Sequence, residues 1–139
     1  MAVTGMANLA VKVADLDAAV AYYERHGAAV RDRMPWADGE RADVFLGPVM
    51  LTLFTRAIYE DAVTLPAEGF LHPALFTDDL DAAVAELEAF SIAFVTGEQH
   101  QAHGVVRQVW VTDPVGNVVE LQQDSEATPA LGSDEPIRR

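Results

Sequence analysis

Cysteine is absent from all 139 residues. Disulfides and thiolate chemistry are therefore excluded, and any metal would have to be held by nitrogen and oxygen ligands. Positive charge is scarce: 9 Lys and Arg stand against 22 Asp and Glu, a formal net charge of -13. A field of that sign repels phosphate backbones and anionic lipid, so neither nucleic acid nor a membrane surface is expected as a partner. A neutral or cationic small molecule remains compatible with it. No run of about eighteen apolar residues free of charge occurs, and MAVTGMANLAVKVADLD lacks a basic segment followed by an apolar one. A cytoplasmic protein is the expectation. Missing too are a Ser-His-Asp arrangement, a phosphate-cradling glycine loop and a basic patch.

What the chain does contain is a repeat. DLDAAVA occurs at Asp15 to Ala21 and again, 64 residues on, at Asp79 to Ala85. The same offset aligns Met6-Ala7-Asn8-Leu9-Ala10-Val11 with Phe70-Leu71-His72-Pro73-Ala74-Leu75. Each copy reads as a strand feeding a helix. Leu9, Val11 and Val13 alternate as a half-covered strand requires. Asp15 and Asp79 stand where N-caps belong, and Leu16, Val20 and Tyr23, or Leu80, Val84 and Leu87, form apolar stripes at helical spacing.

Three strands should follow each helix. In the first half they are Ala28 to Met34, Ala42 to Leu46 and Val49 to Thr55, separated by turn signals at Pro35 to Glu40 and Gly47-Pro48. In the second they are Ile92 to Thr96, Val105 to Thr112 and Val118 to Gln122, separated by a Gly97 to Gly104 loop and by Asp113-Pro114-Val115-Gly116-Asn117. The expected organisation is one domain over 1–123, with module one at 6–55, module two at 70–123 and a flexible acidic tail at 124–139. With 50% hydrophobic residues the chain can bury one substantial core.

Two βαβββ modules closed by a DPxGNxxEL segment resemble the vicinal oxygen chelate superfamily, which includes glyoxalase I, bleomycin resistance proteins and extradiol dioxygenases. The resemblance covers roughly Met6 to Gln123. It implies an α+β fold in which two βαβββ modules form paired half-cup mixed sheets with helices outside, enclosing a small-molecule cavity, often in a homodimer. It also implies where ligands to a divalent iron, manganese, nickel or zinc ion would lie: on the first and last strands of each module. His72 and Glu120 match those positions, Asn8 replaces the first-strand histidine of module one, and the remaining position falls on Leu51 or Thr52.

Strand alternation supplies a competing account. If His72 points into the cup, Ala74 and Phe76 do too, and Gln108, Trp110 and Thr112 form one face opposite Val109 and Val111. Trp36, Phe54 and Tyr59 could border that lining, and His100 and His103 sit in a segment able to cover the mouth. Such a lining suits a planar aromatic ligand. The favoured expectation is a binding protein that sequesters an aromatic natural product, cationic ones included, as in bleomycin-type antibiotic resistance. It would use Trp110, Gln108, Trp36, Phe54, Tyr59, Phe76, His72 and His103, with no cofactor. The alternatives are a metal-dependent glyoxalase or dioxygenase built on His72, Glu120 and a third group, Asn8 or a loop histidine (His100 or His103), and a metal-free isomerase or cyclase using the His72 and Glu120 pair.

Overall fold

A computed structural model describes residues 3–36, 38–61, 65–89, 94–100 and 107–123, with side chains undescribed at 87–89 and 94–100. The 124–139 tail, Ile92, Ala93 and His103 lie outside the described residues. The fold is α+β, and it repeats one βαβββ plan. Module one holds β1 (Val3–Lys12), α1 (Leu16–Arg25), β2 (Ala29–Trp36), β3 (Gly39–Leu46) and β4 (Val49–Phe54). Module two holds β5 (Gly69–Thr77), α2 (Leu80–Ala89), β6 (Phe94–His100), β7 (Arg107–Thr112) and β8 (Val118–Gln123).

Each module is a mixed sheet, with spatial order β2-β3-β4-β1 in the first and β5-β8-β7-β6 in the second. The first and last strands of each run parallel, as a helical crossover allows, and the other pairs are antiparallel. The residues cluster into two compact units, one of 8–71 and one of 72–123 together with the start of β1.

The repeated helix begins as its sequence predicts. Asp15 Oδ1 accepts from the Ala18 amide at 3.0 Å, and Asp79 Oδ1 accepts from the Ala82 amide at 2.9 Å. These caps satisfy donors that the first helical turn leaves open. Leu16 and Val20 of α1 pack on Ala42, Val44, Leu51 and Leu53, with Leu9, Val11 and Tyr23 at the margin. In module two Leu80 and Ala83 pack on Val109, Val111 and Leu121. Covering one sheet face with a helix fixes the opposite parity, and the polar residues at alternate positions go to the other face.

Three expectations change. The turn between β2 and β3 is shorter than Pro35 to Glu40, because β2 runs to Trp36 and β3 starts at Gly39. Asp38 takes a positive φ of 65° there, and a Cβ on Gly39 would fall 2.4 Å from the Thr55 hydroxyl oxygen, so the close turn requires glycine. Residues Gly97 to His100, expected in a loop, belong to β6, whose pairing with β7 shifts register between Phe94 and Thr96 and again between Thr96 and Gln99. Such irregularities insert residues without ending a strand, and they hide the strand's alternation from the sequence. The first strand also starts earlier than expected, at Val3.

The 113–117 turn is structural, as its composition implies. Asp113 Oδ1 accepts from the amides of Val115 and Asn117, and Asn117 Nδ2 donates to Asp113 Oδ2 at 3.0 Å. These bonds, led by the Asn117 side chain, hold the Asp113 carboxyl below its usual pKa and aim β8.

Candidate functional site

In module two the strand register assembles one polar face. Ala74 of β5 lies opposite Glu120 of β8, Trp110 of β7 lies opposite Glu120 on its other side, and Gln108 lies opposite Gln122. His72 precedes Ala74 by two residues and therefore shares its face. His72, Phe76, Gln108, Trp110, Glu120 and Gln122 are all buried. Five of these six carry polar atoms, so the face is not ordinary core.

His72 Nε2 lies 3.9 Å from Glu120 Oε1, too far for a hydrogen bond. Gln122 Nε2 donates to Glu120 Oε2 at 2.5 Å, so the carboxylate is positioned from within its own strand. Trp110 meets the imidazole edge-on, with ring centroids 6.4 Å apart and planes at 84°. Burial pushes the His72 pKa down to about 3. The imidazole is therefore neutral at physiological pH and can accept a hydrogen bond or ligate through one nitrogen. Gln108 is 1% exposed, and its Oε1 has no hydrogen-bond partner among the described residues.

Module one has the same scaffold with different chemistry. Ala10 of β1 lies opposite Thr52 of β4, as Ala74 lies opposite Glu120, so Thr52 rather than Leu51 occupies the equivalent position. Asn8 then corresponds to His72. Asn8 Nδ2 donates to Thr52 Oγ1 at 2.8 Å. Thr52 lies opposite Asp43 on β3, where its hydroxyl is a minor influence lowering the Asp43 pKa. Asp43 is closed from its other side by Arg41, and both are buried. Desolvation raises the Asp43 pKa, with Arg41 the main opposing influence.

Arg41 also stacks. Its guanidinium carbon is 4.9 Å from the Trp36 ring centroid and 5.4 Å from that of Phe54, and the two rings are 6.0 Å apart. Trp36 and Phe54, read from sequence as a border for an aromatic ligand, thus hold an internal guanidinium. Tyr59 is buried in the segment after β4.

Arg41 and Asp43 escaped the sequence reading, which began that strand at Ala42. A signal was present, because Arg41-Ala42-Asp43-Val44 alternates charged and apolar residues as Gln108-Val109-Trp110-Val111 alternates polar or aromatic with apolar. His26 caps α1 and its Nδ1 donates to the Tyr22 carbonyl at 2.8 Å, a structural role.

The donor set can be tested against a divalent ion. Module two brings a neutral imidazole and a carboxylate together, while Asn8 and Thr52, in the equivalent places of module one, are an amide and a hydroxyl bonded to each other. Zinc and iron sites use roughly three or four protein ligands. No group of three His, Asp or Glu able to hold an ion occurs among the described residues. Among the described residues, two donors do not make up a tightly held metal site.

The fold and this pair of strand-borne polar faces define a vicinal oxygen chelate type of protein. The chain belongs to the Glyoxalase/Bleomycin resistance protein/Dioxygenase superfamily, whose model matches residues 5–121. Solved structures agree on the fold. Methylmalonyl-CoA epimerase from Streptomyces coelicolor in complex with 2-nitronate-propionyl-CoA has a TM-score of 0.73 at 22% identity, over 89% of this chain and 99% of that one. The epimerase from Mycobacterium tuberculosis gives 0.70 at 21% identity, over 88% and 89%. A hypothetical protein from Bacillus halodurans gives 0.70 at 12% identity, over 88% and 96%. No curated protein matches the chain. No helix among the described residues is long and apolar enough to cross a membrane.

Proposed function

We propose that this chain binds a small aromatic organic molecule on the His72, Trp110 and Glu120 face of module two, without a resident metal and without turning the molecule over. One observation carries the reading. At the positions of module one that match His72 and Glu120, Asn8 and Thr52 bond to each other, next to the buried Arg41 and Asp43 pair on β3. That half of the ligand set is committed to holding module one together. What is left in module two is a buried aromatic wall with a few fixed polar groups, the composition of a small-molecule site. Sequestration, as in the bleomycin resistance part of the family, is the activity this chemistry suits. The acidic chain favours neutral or cationic ligands, and we include a cytoplasmic homodimer in the proposal.

The test is elemental analysis after separate anaerobic incubation with iron(II), manganese, nickel and zinc and removal of loose ions. The expected result is no retained ion. About one ion per chain, lost in His72→Ala, overturns the reading. A screen of aromatic compounds, read by tryptophan fluorescence, should then yield a stoichiometric complex whose ligand is recovered unchanged.

A second reading rests on the neutral His72 standing 3.9 Å from the Glu120 carboxylate. Such a pair can remove and return a proton beside a carbonyl. Methylmalonyl-CoA, bound in one of the similar structures, is the natural first substrate to try. Solvent deuterium incorporation that disappears in Glu120→Gln would put this reading first.

A further inference from the structure

The two modules differ at one position in a way that specifies what the site accepts. Arg41 lies opposite Phe54, two residues beyond Thr52, and Gln108 lies opposite Gln122, two residues beyond Glu120. Gln108 therefore takes on β7 the place that Arg41 takes on β3. The exchange replaces a guanidinium, which only donates, with an amide that also offers a carbonyl acceptor.

That acceptor is the unusual group. Gln108 Oε1 is buried and receives no hydrogen bond among the described residues. Buried amide oxygens are almost always satisfied, so one left open among the described residues is a place where a ligand's donor can bind. Its surroundings favour a donor as well. Glu120, on the neighbouring strand, accepts and does not donate as a carboxylate, and Gln122 already donates to it at 2.5 Å. Trp110, adjacent on β7, presents an aromatic wall at 2% exposure.

We infer that the molecule bound by module two presents an ammonium or amidinium group to Gln108 Oε1 and Glu120, so that the ligand brings the cationic donor that Arg41 provides in module one. The inference rests on the binding reading above and narrows it to a ligand class. Glu120, His72 and Gln122 are 5%, 6% and 7% exposed, so these acceptors lie almost wholly inside the protein and only a compact charged head suits them. Charge-assisted hydrogen bonds to such a head are stronger than neutral ones, and Trp110 can add a cation–π contribution.

The experiment uses the full chain, 15N-labelled, titrated at fixed ionic strength with benzamidinium and benzylammonium. Benzyl alcohol and benzoate serve as neutral and anionic controls. The readouts are the Gln108 side-chain amide and the Trp110 indole resonances. Both cations are expected to shift both resonances to saturation, and benzoate to leave them in place. Gln108→Leu should weaken cation binding at least tenfold, with recovery in Gln108→Glu, which keeps an acceptor there. Should the leucine variant fail to fold, the contrast between benzamidinium and benzoate on the natural chain decides.

Silence of both cations overturns the inference, as does undiminished cation binding in a folded Gln108→Leu. Saturation by benzoate or benzyl alcohol with the cations silent overturns it while sparing the binding reading. A retained metal ion in the elemental analysis is what removes the binding reading itself.

Discussion

Asn8 and Thr52 are joined by a 2.8 Å hydrogen bond across β1 and β4, at the positions where module two carries His72 and Glu120 across β5 and β8. One scaffold thus carries a closed polar pair in one module and a buried acid and imidazole in the other. Removing the hydroxyl leaves the buried Asn8 amide without this acceptor, because Thr52 accepts from Asn8. Thr52→Val should cost about 1–3 kcal/mol in urea unfolding, the usual penalty for buried polar groups left unmatched. A change within error would mean that the pair contributes nothing net.

Asp43 and Arg41 should behave asymmetrically. Asp43→Ala leaves a buried guanidinium without its carboxylate and is expected to destabilise by about 3–5 kcal/mol. Replacing both, as Arg41→Met with Asp43→Leu, should recover most of that loss, because no buried charge is then left uncompensated. A double variant no more stable than Asp43→Ala alone would contradict this account.

His72 links stability to pH. Its folded pKa of about 3 lies below the ordinary histidine value, so between roughly pH 3 and 6.5 the unfolded chain binds a proton that the folded chain refuses. The contribution is whole above about pH 6.5 and is lost as pH falls, with a slope of about 1.4 kcal/mol per pH unit at most. Stability of the natural chain minus that of His72→Gln should show this slope. A flat difference across that window would show that His72 is protonated in the fold.

Gln108→Leu should leave the chain equally stable or more stable, since it removes a buried oxygen with no donor and keeps apolar volume. A melting temperature clearly below that of the natural protein would show that the Gln108 amide is satisfied internally.

The two caps offer a control distributed over the repeat. Asp15→Ala and Asp79→Ala should each cost about 1 kcal/mol, and their double variant should be near the sum, because each carboxylate caps only its own helix. Marked non-additivity would mean that the two helices are coupled.

Much of this was legible in the chain itself. The DLDAAVA repeat set both helices, their caps and the duplicated plan, because capping and helical spacing are local properties. Alternation set the faces: Val109 and Val111 lie under α2, and Gln108 and Trp110 lie on the opposite side, as their parity requires. His72 and Glu120 could be paired by the family resemblance, and parallel register brings them to one face.

Tertiary structure decided the rest, because pairing between strands is not written in either strand alone. Register chose Thr52 over Leu51, brought Asn8 to Thr52, and set Arg41 over the Trp36 and Phe54 rings and against Asp43. Sequence alone could show a repeat with unequal residues. Whether an unequal residue is a lost ligand or a member of a closed network depends on which donor meets which acceptor, and only the folded distances determine that.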